Sequence, residues 1–507
     1  MNNSDTYDVC LILEGTYPFV SGGVSSWVHD IVSALTDIHF TAVCILPSSK
    51  DNVSIKYKIP DNFNDYKVIY LHDYDLKKTG RIKKSKRIQQ INLLRTFHKK
   101  LKENDFSFFK EIIPIFHSNK KGLSSYDMIY GKDAWNLFLE LQPKNNPEPF
   151  LDYFWTRRFT HLPVFKLLRT QLPYAKVYHS ISTGFAGLLG SMAKHLFKRP
   201  FFITEHGIYT KERKIEISQA EWMYMPKDDY LKIQDKLAVS QQLWLNLFDR
   251  IGRITYLEAD KIVTLYEGNK KIEIEDGADP DKVSVIPNGI NIERFGGLKS
   301  INFLEDKPET FHVGFVGRVV PIKDVKTFIR ACKIVSMQFP NVKFYIMGPT
   351  EEDESYYKEC IEIVKFLQLQ DQLIFTGKIN VLDYYPKLHI LVLTSISEAQ
   401  PLVILEANCV GIPVVSSDVG ACSELINGRT KEDKELGPSG IITNVSDPVG
   451  TGNGIITILS DHELRRKMAI SGQQRVVNYY QASDLMQKYR SIYQNFIRHP
   501  DMSDHKI

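Results

Sequence analysis

The chain has 507 residues, with 64 Lys and Arg against 60 Asp and Glu and a formal net charge of +4. That charge is small for the length and lacks the basic bias of a nucleic-acid binder, so no nucleic-acid partner is expected. Hydrophobic residues make up 43% and charged residues 24%, ordinary for a globular enzyme and sufficient for about two to four domains.

Taken in chain order, Val9–Glu14 is an apolar run of strand length. Gly22-Gly23 follows it, and a helix is expected from about Ser25 to Leu35. Phe40–Leu46 and Lys67–His72 read as strands. The stretch from about 75 to 170 breaks the rhythm with charge and aromatics and reads as a helical insertion. Strands resume at Lys176–Ile181, Phe201–Glu205, Lys261–Leu265 and Val283–Ile286. A linker is expected near 295–308. A second series then runs through His312–Val316, Val342–Met347, Leu373–Thr376, Ile390–Thr394 and Pro413–Ser416. Short apolar runs separated by helical patterns predict parallel sheets covered by helices on both faces. The expected division is 1–295, with the insertion, and 296–482, with a last helix at about 483–507 returning to the first domain. If the carboxyl ends of the two sheets face each other, the cleft between them holds the ligand.

The remaining features concern compartment. Cys10, Cys44, Cys332, Cys360, Cys409 and Cys422 show neither C-x-x-C spacing nor a zinc-like cluster, and are expected to be reduced thiols. The opening residues carry no basic and apolar signal pattern, and no apolar run approaches the roughly 18 residues of a span. Both favour the cytoplasm. Between Lys77 and Lys102 there is no Asp or Glu, while Ile88, Ile91, Leu94, Phe97 and Leu101 recur at helical spacing. Two readings stay open: a helix packed on its own domain, or one docked peripherally on an anionic membrane or an acidic partner.

Five segments carry chemistry. In Ser397–Glu406, Pro401 suits a helix start, so the N–H groups of Leu402 and Val403 form an anion site flanked by Glu398 and Glu406. In Gly314–Lys323 a strand ends at Gly317, and Arg318 and Lys323 follow as phosphate-binding cations. Gly22-Gly23-Val24 is a Gly-rich strand-to-helix turn of the kind that cradles phosphate or sugar. His206 ends a further strand, and Ile286-Pro287-Asn288-Gly289 is a turn by composition. Two Asp-x-Asp lookalikes, Asp73-Tyr74-Asp75 and Asp279-Pro280-Asp281, read as polar turns, because Arg318 and Lys323 already supply the charge a metal would bring.

Gly22-Gly23, His206, Ile286–Gly289, Phe315–Arg318 with Lys323, the Glu398/Glu406 pair and Gly411–Ser416 together resemble, in order and spacing, the retaining GT-B glycosyltransferases of family four. Leu13–Pro18, Gly22–Val28 and Thr204–Arg213 resemble, more narrowly, the Pel exopolysaccharide subgroup. The resemblance implies an α/β GT-B fold, two Rossmann-like doubly wound domains facing across a cleft. It implies a UDP-sugar donor, a growing polysaccharide as acceptor, inner-membrane synthase partners and no cofactor or metal. Arg318 and Lys323 would hold the diphosphate, Glu398 the sugar hydroxyls and Glu406 the ribose. His206 would stand at the reaction centre, Gly22, Gly23 and Gly317 would line the donor, and backbone at Gly377-Lys378-Ile379 would meet the uracil. Where the family often has Gly-Phe before the proline, this chain has Ala399-Gln400. Two alternatives remain open: a UDP-sugar 2-epimerase of the same plan, and a non-catalytic nucleotide-sugar-binding subunit.

Overall fold

The computed structural model describes residues 7–50, 53–74, 82–117, 122–142, 149–219, 239–295, 297–303 and 308–500. They form two compact units. Unit 1 comprises residues 1–264, 269–285 and 489–507; unit 2 comprises 265–268 and 286–488.

Unit 1 is built on a seven-stranded parallel sheet. Its strands are β1 (Tyr7–Glu14), β2 (Phe40–Leu46), β3 (Phe63–Tyr70), β4 (Ala175–Ser180), β5 (Phe201–Glu205), β6 (Lys261–Thr264) and β7 (Val283–Val285). They lie in the order β3-β2-β1-β4-β5-β6-β7. The central strands β1 and β2 are apolar along nearly their whole length because helices cover both faces. Edge strand β3 begins four residues before the expected start, because an edge tolerates polar Asn64 and Asp65. The C-terminal helix Ala482–Arg498 packs its second half on this sheet. There Tyr493 Oη lies 2.7 Å from buried His179 Nδ1, and the opposite ring nitrogen meets Thr204 Oγ1 at 2.9 Å.

Between β3 and β4 the chain forms helices Lys84–Lys102, Phe109–His117, Ser125–Tyr130, Lys132–Leu141 and Phe150–Leu168. The apolar stripe of the first is largely spent on the unit's own core, while Ile88 stays exposed. Ile91, Leu94 and Leu101 are buried in the unit's own core, with Phe97 packed against them. The Lys and Arg side chains of this helix are exposed or half-buried, and Lys77 to Arg81 lie outside the described residues. Among the described residues no helix is long and apolar enough to cross a membrane.

Unit 2 has a six-stranded parallel sheet: β8 (Phe311–Val316), β9 (Val342–Met347), β10 (Leu373–Gly377), β11 (Ile390–Leu393), β12 (Val414–Ser417) and β13 (Gly440–Thr443), in the order β10-β9-β8-β11-β12-β13. Alternate residues feed its two faces: Ile390 and Val392 enter one apolar cluster, Leu391 and Leu393 the other. The sequence reading missed β13, whose four residues precede a polar stretch and carry little pattern. Residues 297–303, within the stretch expected to be a linker, are bonded into unit 2. Ser300 N–H donates to Val410 O at 3.0 Å and Ser300 Oγ–H to Leu388 O at 3.1 Å. All six cysteines are unpaired.

Helix His462–Tyr479 is held to unit 2 by a buried cation. Arg475 donates to Asp433 Oδ1 at 2.7 Å, to Ile426 O at 2.7 Å and to Gly437 O at 2.7 Å. Removing one member of such a pair strands the other charge in a poorly solvating interior. Arg475→Ala is therefore expected to destabilise unit 2 by about 3–5 kcal/mol, read as a lower urea midpoint. An unchanged midpoint would show that Asp433 finds other compensation.

Candidate active site

In unit 2 the direction of winding reverses between β8 and β11, which are neighbours in the sheet. Helical connections leave such a pair toward opposite faces, so the loops at their carboxyl ends lie open side by side. The loop after β8 carries Gly317, Arg318 and Lys323; the loop after β11 carries Ser395 and Glu398. The two are laced together. Ile396 N–H donates to Ile322 O at 2.9 Å, and Thr394 Oγ–H donates to Asp324 O at 2.9 Å.

This lacing brings Lys323 and Glu398 into an ion pair, both partly buried. Ser395 Oγ–H donates to the same carboxylate oxygen at 2.6 Å. The other oxygen, Oε2, has no protein partner among the described residues. Glu406 repeats the pattern: Tyr385 donates to its Oε2 at 2.7 Å, and Oε1 is open among the described residues. Each carboxylate thus has one oxygen anchored and one available to accept from a hydroxyl. Arg318, on the same loop as Lys323, is exposed and turned to Glu352. Glu352 escaped the sequence reading, because a surface Glu in Glu351-Glu352-Asp353-Glu354 has nothing to distinguish it.

The helix behind Glu398 begins at Leu402, with Pro401 as its N-cap and no side-chain cap. The helix therefore starts one residue later than the sequence suggested. Leu402 and Val403 remain its first two residues, where N–H groups and the helix dipole favour an anion. Gln400 has a structural task. It is 7% exposed, accepts from Asn288 N–H at 2.7 Å and donates to Asn288 O at 3.0 Å. One side-chain amide thus reproduces a backbone pairing and clips the Ile286–Gly289 turn to the Glu398 loop.

Close backbone approaches shape the rest. A Cβ on Gly348 would lie 2.0 Å from Gly317 O, so only glycine lets β9 end against the Arg318 loop. Gly420 has φ +55°, and a Cβ there would meet Glu398 O at 2.3 Å and Ala399 O at 2.4 Å. At Gly377, φ is +67° and a Cβ would meet nothing within 4 Å. Its carbonyl accepts from Gly348 N–H at 3.0 Å, and Ile379 lies half-buried two residues on.

In unit 1, Gly22 is the N-cap of the helix Gly23–Ala34, again without a side-chain cap. A Cβ on Gly22 or Gly23 would meet nothing, so these glycines leave open space at a helix start. His206, after β5, is 8% exposed, and burial lowers its pKa to about 4. Its ring is neutral near pH 7. Nε2 has no protein partner among the described residues, and Trp27 lies edge-on at 4.6 Å between centroids. The neighbouring Glu205 sets this loop. It accepts from Tyr256 Oη–H at 2.6 Å, Thr183 Oγ–H at 2.9 Å and Tyr209 N–H at 3.1 Å. Burial raises its pKa, with like charge from Glu212 adding to the rise.

Asp73 closes a loop, accepting from Ser48 Oγ–H at 3.1 Å and Ser49 N–H at 3.2 Å. These bonds lower its pKa. Asp75 lies outside the described residues. Asp281 N–H donates to Asp279 Oδ1 at 3.0 Å, forming a local turn. Among the described residues no cluster of three or more His, Cys, Asp and Glu could hold a metal ion.

Residues 7–281 match the family described as a domain of unknown function, DUF3492, and residues 299–475 match the group 1 glycosyl transferases. The capsular polysaccharide biosynthesis glycosyltransferase CapM of Staphylococcus aureus is 25% identical over 257 residues, 48% of this chain and 64% of CapM. N-acetyl-alpha-D-glucosaminyl L-malate synthase of Bacillus anthracis is 26% identical over 201 residues, 39% of this chain and 49% of the synthase. The chain thus spans between 49% and 64% of the length of these two curated relatives. Two solved structures cover 96% of this chain and 99% of their own. They are sucrose-phosphate synthase from Thermosynechococcus elongatus (TM-score 0.57, 16% identity) and HepE of Anabaena in complex with UDP and glucose (TM-score 0.56, 15% identity). Identities this low establish the fold alone, which is the expected α/β plan of two Rossmann-like parallel sheets found in GT-B proteins.

The contact of Gly420 with the Glu398 loop is testable without a ligand. Gly420→Ala must push that backbone aside and is expected to destabilise unit 2 by about 1–3 kcal/mol. Amide exchange across 397–402 should accelerate in the same variant, measured by mass spectrometry. Exchange at the wild-type rate would show that the loop is held by something other than this approach.

Proposed function

This chain belongs to the DUF3492 family and carries a group 1 glycosyl transferase domain, and from that premise we propose a retaining glycosyltransferase. It moves a hexose from a UDP-sugar, UDP-glucose or a UDP-N-acetylhexosamine, to a growing extracellular polysaccharide. The observation that carries this reading is the Lys323–Glu398 pair beside the uncapped start of the Leu402 helix. A cation, two helix N–H groups and two half-free carboxylates within one loop system suit a diphosphate flanked by hydroxyl-rich groups. The names of the relatives support transfer of sugars, and HepE carries UDP and glucose in its structure. The finer assignment rests on the resemblance of Leu13–Pro18 and Thr204–Arg213 to the Pel glycosyltransferase PelF. It includes action at the cytoplasmic face with inner-membrane synthase partners.

In this mechanism the acceptor oxygen bonds to the anomeric carbon as the bond from that carbon to the phosphate oxygen breaks. The acceptor proton passes to the departing phosphate on the same face, so configuration is retained. The negative charge growing on the diphosphate meets Lys323, Arg318 turned from Glu352, and the N–H groups of Leu402 and Val403. Glu398 Oε2 accepts from sugar hydroxyls and Glu406 Oε1 from the ribose. On the family resemblance His206 would stand at the reaction centre, and burial keeps its imidazole neutral, able to donate or accept one hydrogen bond.

The first test incubates the protein with a panel of nucleotide sugars and an oligosaccharide acceptor, measuring nucleotide released. UDP release that depends on acceptor supports transfer; turnover to a C2 epimer without acceptor replaces it with isomerisation. Lys323→Ala and Arg318→Ala are each expected to lower turnover at least about tenfold, equivalent to about 1.4 kcal/mol of transition-state stabilisation. Wild-type rates in both would remove the diphosphate clamp.

Metal independence is a separate prediction. Transfer should continue in excess EDTA, and Asp73→Asn should leave it within a few-fold of wild type. Loss in EDTA with recovery on adding Mn²⁺ would overturn the metal-free reading.

A further inference from the structure

Unit 1 contains a cavity of about 320 Å³ between helices Lys84–Lys102, Phe109–His117, Phe150–Leu168 and Val239–Glu258. Leu94, Leu101, Ile112, Leu247 and Ile254 give it an apolar wall. A smaller chamber of about 80 Å³, reaching Trp135 and Phe138, shares His98, Arg157 and His161 with it. The main volume equals about ten water volumes at roughly 30 Å³ each, too large and too apolar to be filled well by water.

Lys102 and two guanidinium groups, those of Arg157 and Arg250, line the main cavity, and the guanidinium groups are the more buried. Neither guanidinium forms an ion pair with a carboxylate among the described residues. The neighbouring Asp249 pairs with Arg253 at 3.1 Å, and its charge also favours the Arg250 cation. Burial lowers the pKa of both arginines; the Arg250 charge lowers Arg157 further, while Tyr153 beside Arg157 and Asp249 beside Arg250 offset part of the fall. The two histidines add no further positive charge: burial brings His98 to about 3 and His161 well below its usual value, so both are neutral. An apolar cavity with two guanidinium groups at its wall, neither in a direct ion pair among the described residues, is stabilised by an anion bound there.

We propose that this cavity binds a phosphate-bearing amphiphile, its phosphate on Arg157 and Arg250 and its hydrocarbon chain among Leu94, Leu101, Ile112, Leu247 and Ile254. Paired arginines suit phosphate because each can bridge two of its oxygens. A chain of about ten carbons matches the volume. The site lies wholly in unit 1 and does not depend on the donor reading of unit 2.

The test is calorimetric titration of the full chain with decyl phosphate below its micellar concentration, against decanol and inorganic phosphate. One saturable site for decyl phosphate is expected, with affinity at least tenfold above decanol and no comparable site for phosphate alone. Arg157→Gln and Arg250→Gln should each weaken decyl phosphate at least tenfold, and Leu247→Trp should block it by filling the cavity. Saturable binding of lipid phosphate presented in vesicles, with none from free decyl phosphate, would assign the contact to a membrane surface and overturn the cavity. Equal affinity for decanol and decyl phosphate would overturn the role of the arginines, a comparison on wild-type protein that needs no variant to fold. Binding at least as tight by inorganic phosphate would overturn the amphiphile, and undiminished binding by Leu247→Trp would place the site elsewhere.

Discussion

Helices must leave neighbouring parallel strands on opposite sides wherever the winding of a sheet reverses, and everything at the candidate site of unit 2 follows from that constraint. Between β8 and β11 the carboxyl ends are left uncovered, and two loops run side by side with their backbone bonds only partly satisfied by each other. A Lys on one loop and a Glu on the other then meet, although 75 residues separate them in sequence. The polar groups left over point to a ligand that is anionic in one part and rich in hydroxyls in another.

The same constraint sets demands on residues that never touch a ligand. Loops this close leave no room for a Cβ at Gly348 or Gly420. The Gln400 amide supplies a backbone-like pairing between the Ile286–Gly289 turn and the Glu398 loop. In unit 1 the corresponding order is kept by buried polar groups. Glu205 accepts three hydrogen bonds at the end of β5 and so fixes the turn that carries His206.

The helices between β3 and β4 solve a different problem. They carry enough apolar surface to extend the core of unit 1, and the basic helix Lys84–Lys102 contributes its apolar stripe to that core. The packing is incomplete around Arg157 and Arg250, where bulky side chains enclose space instead of filling it. Protein interiors are close-packed, so a cavity of this size with cations on its wall signals a ligand more readily than a defect.

Among the described residues, twelve of the thirteen strands were legible in the sequence, because a strand buried on both faces must be apolar along its length. The exception, β13, is four residues at a sheet edge, where burial no longer dictates the pattern. Glycines after strands, Pro401 at a helix start and the Glu398/Glu406 spacing were legible for a local reason: each reflects backbone geometry within a few residues. Glu352, Tyr385 and Gly420 were not, since their partners are supplied by distant segments. The destination of the basic helix was undecided in sequence for the same reason. Periodicity shows that an apolar face must be covered; only tertiary packing decides what covers it.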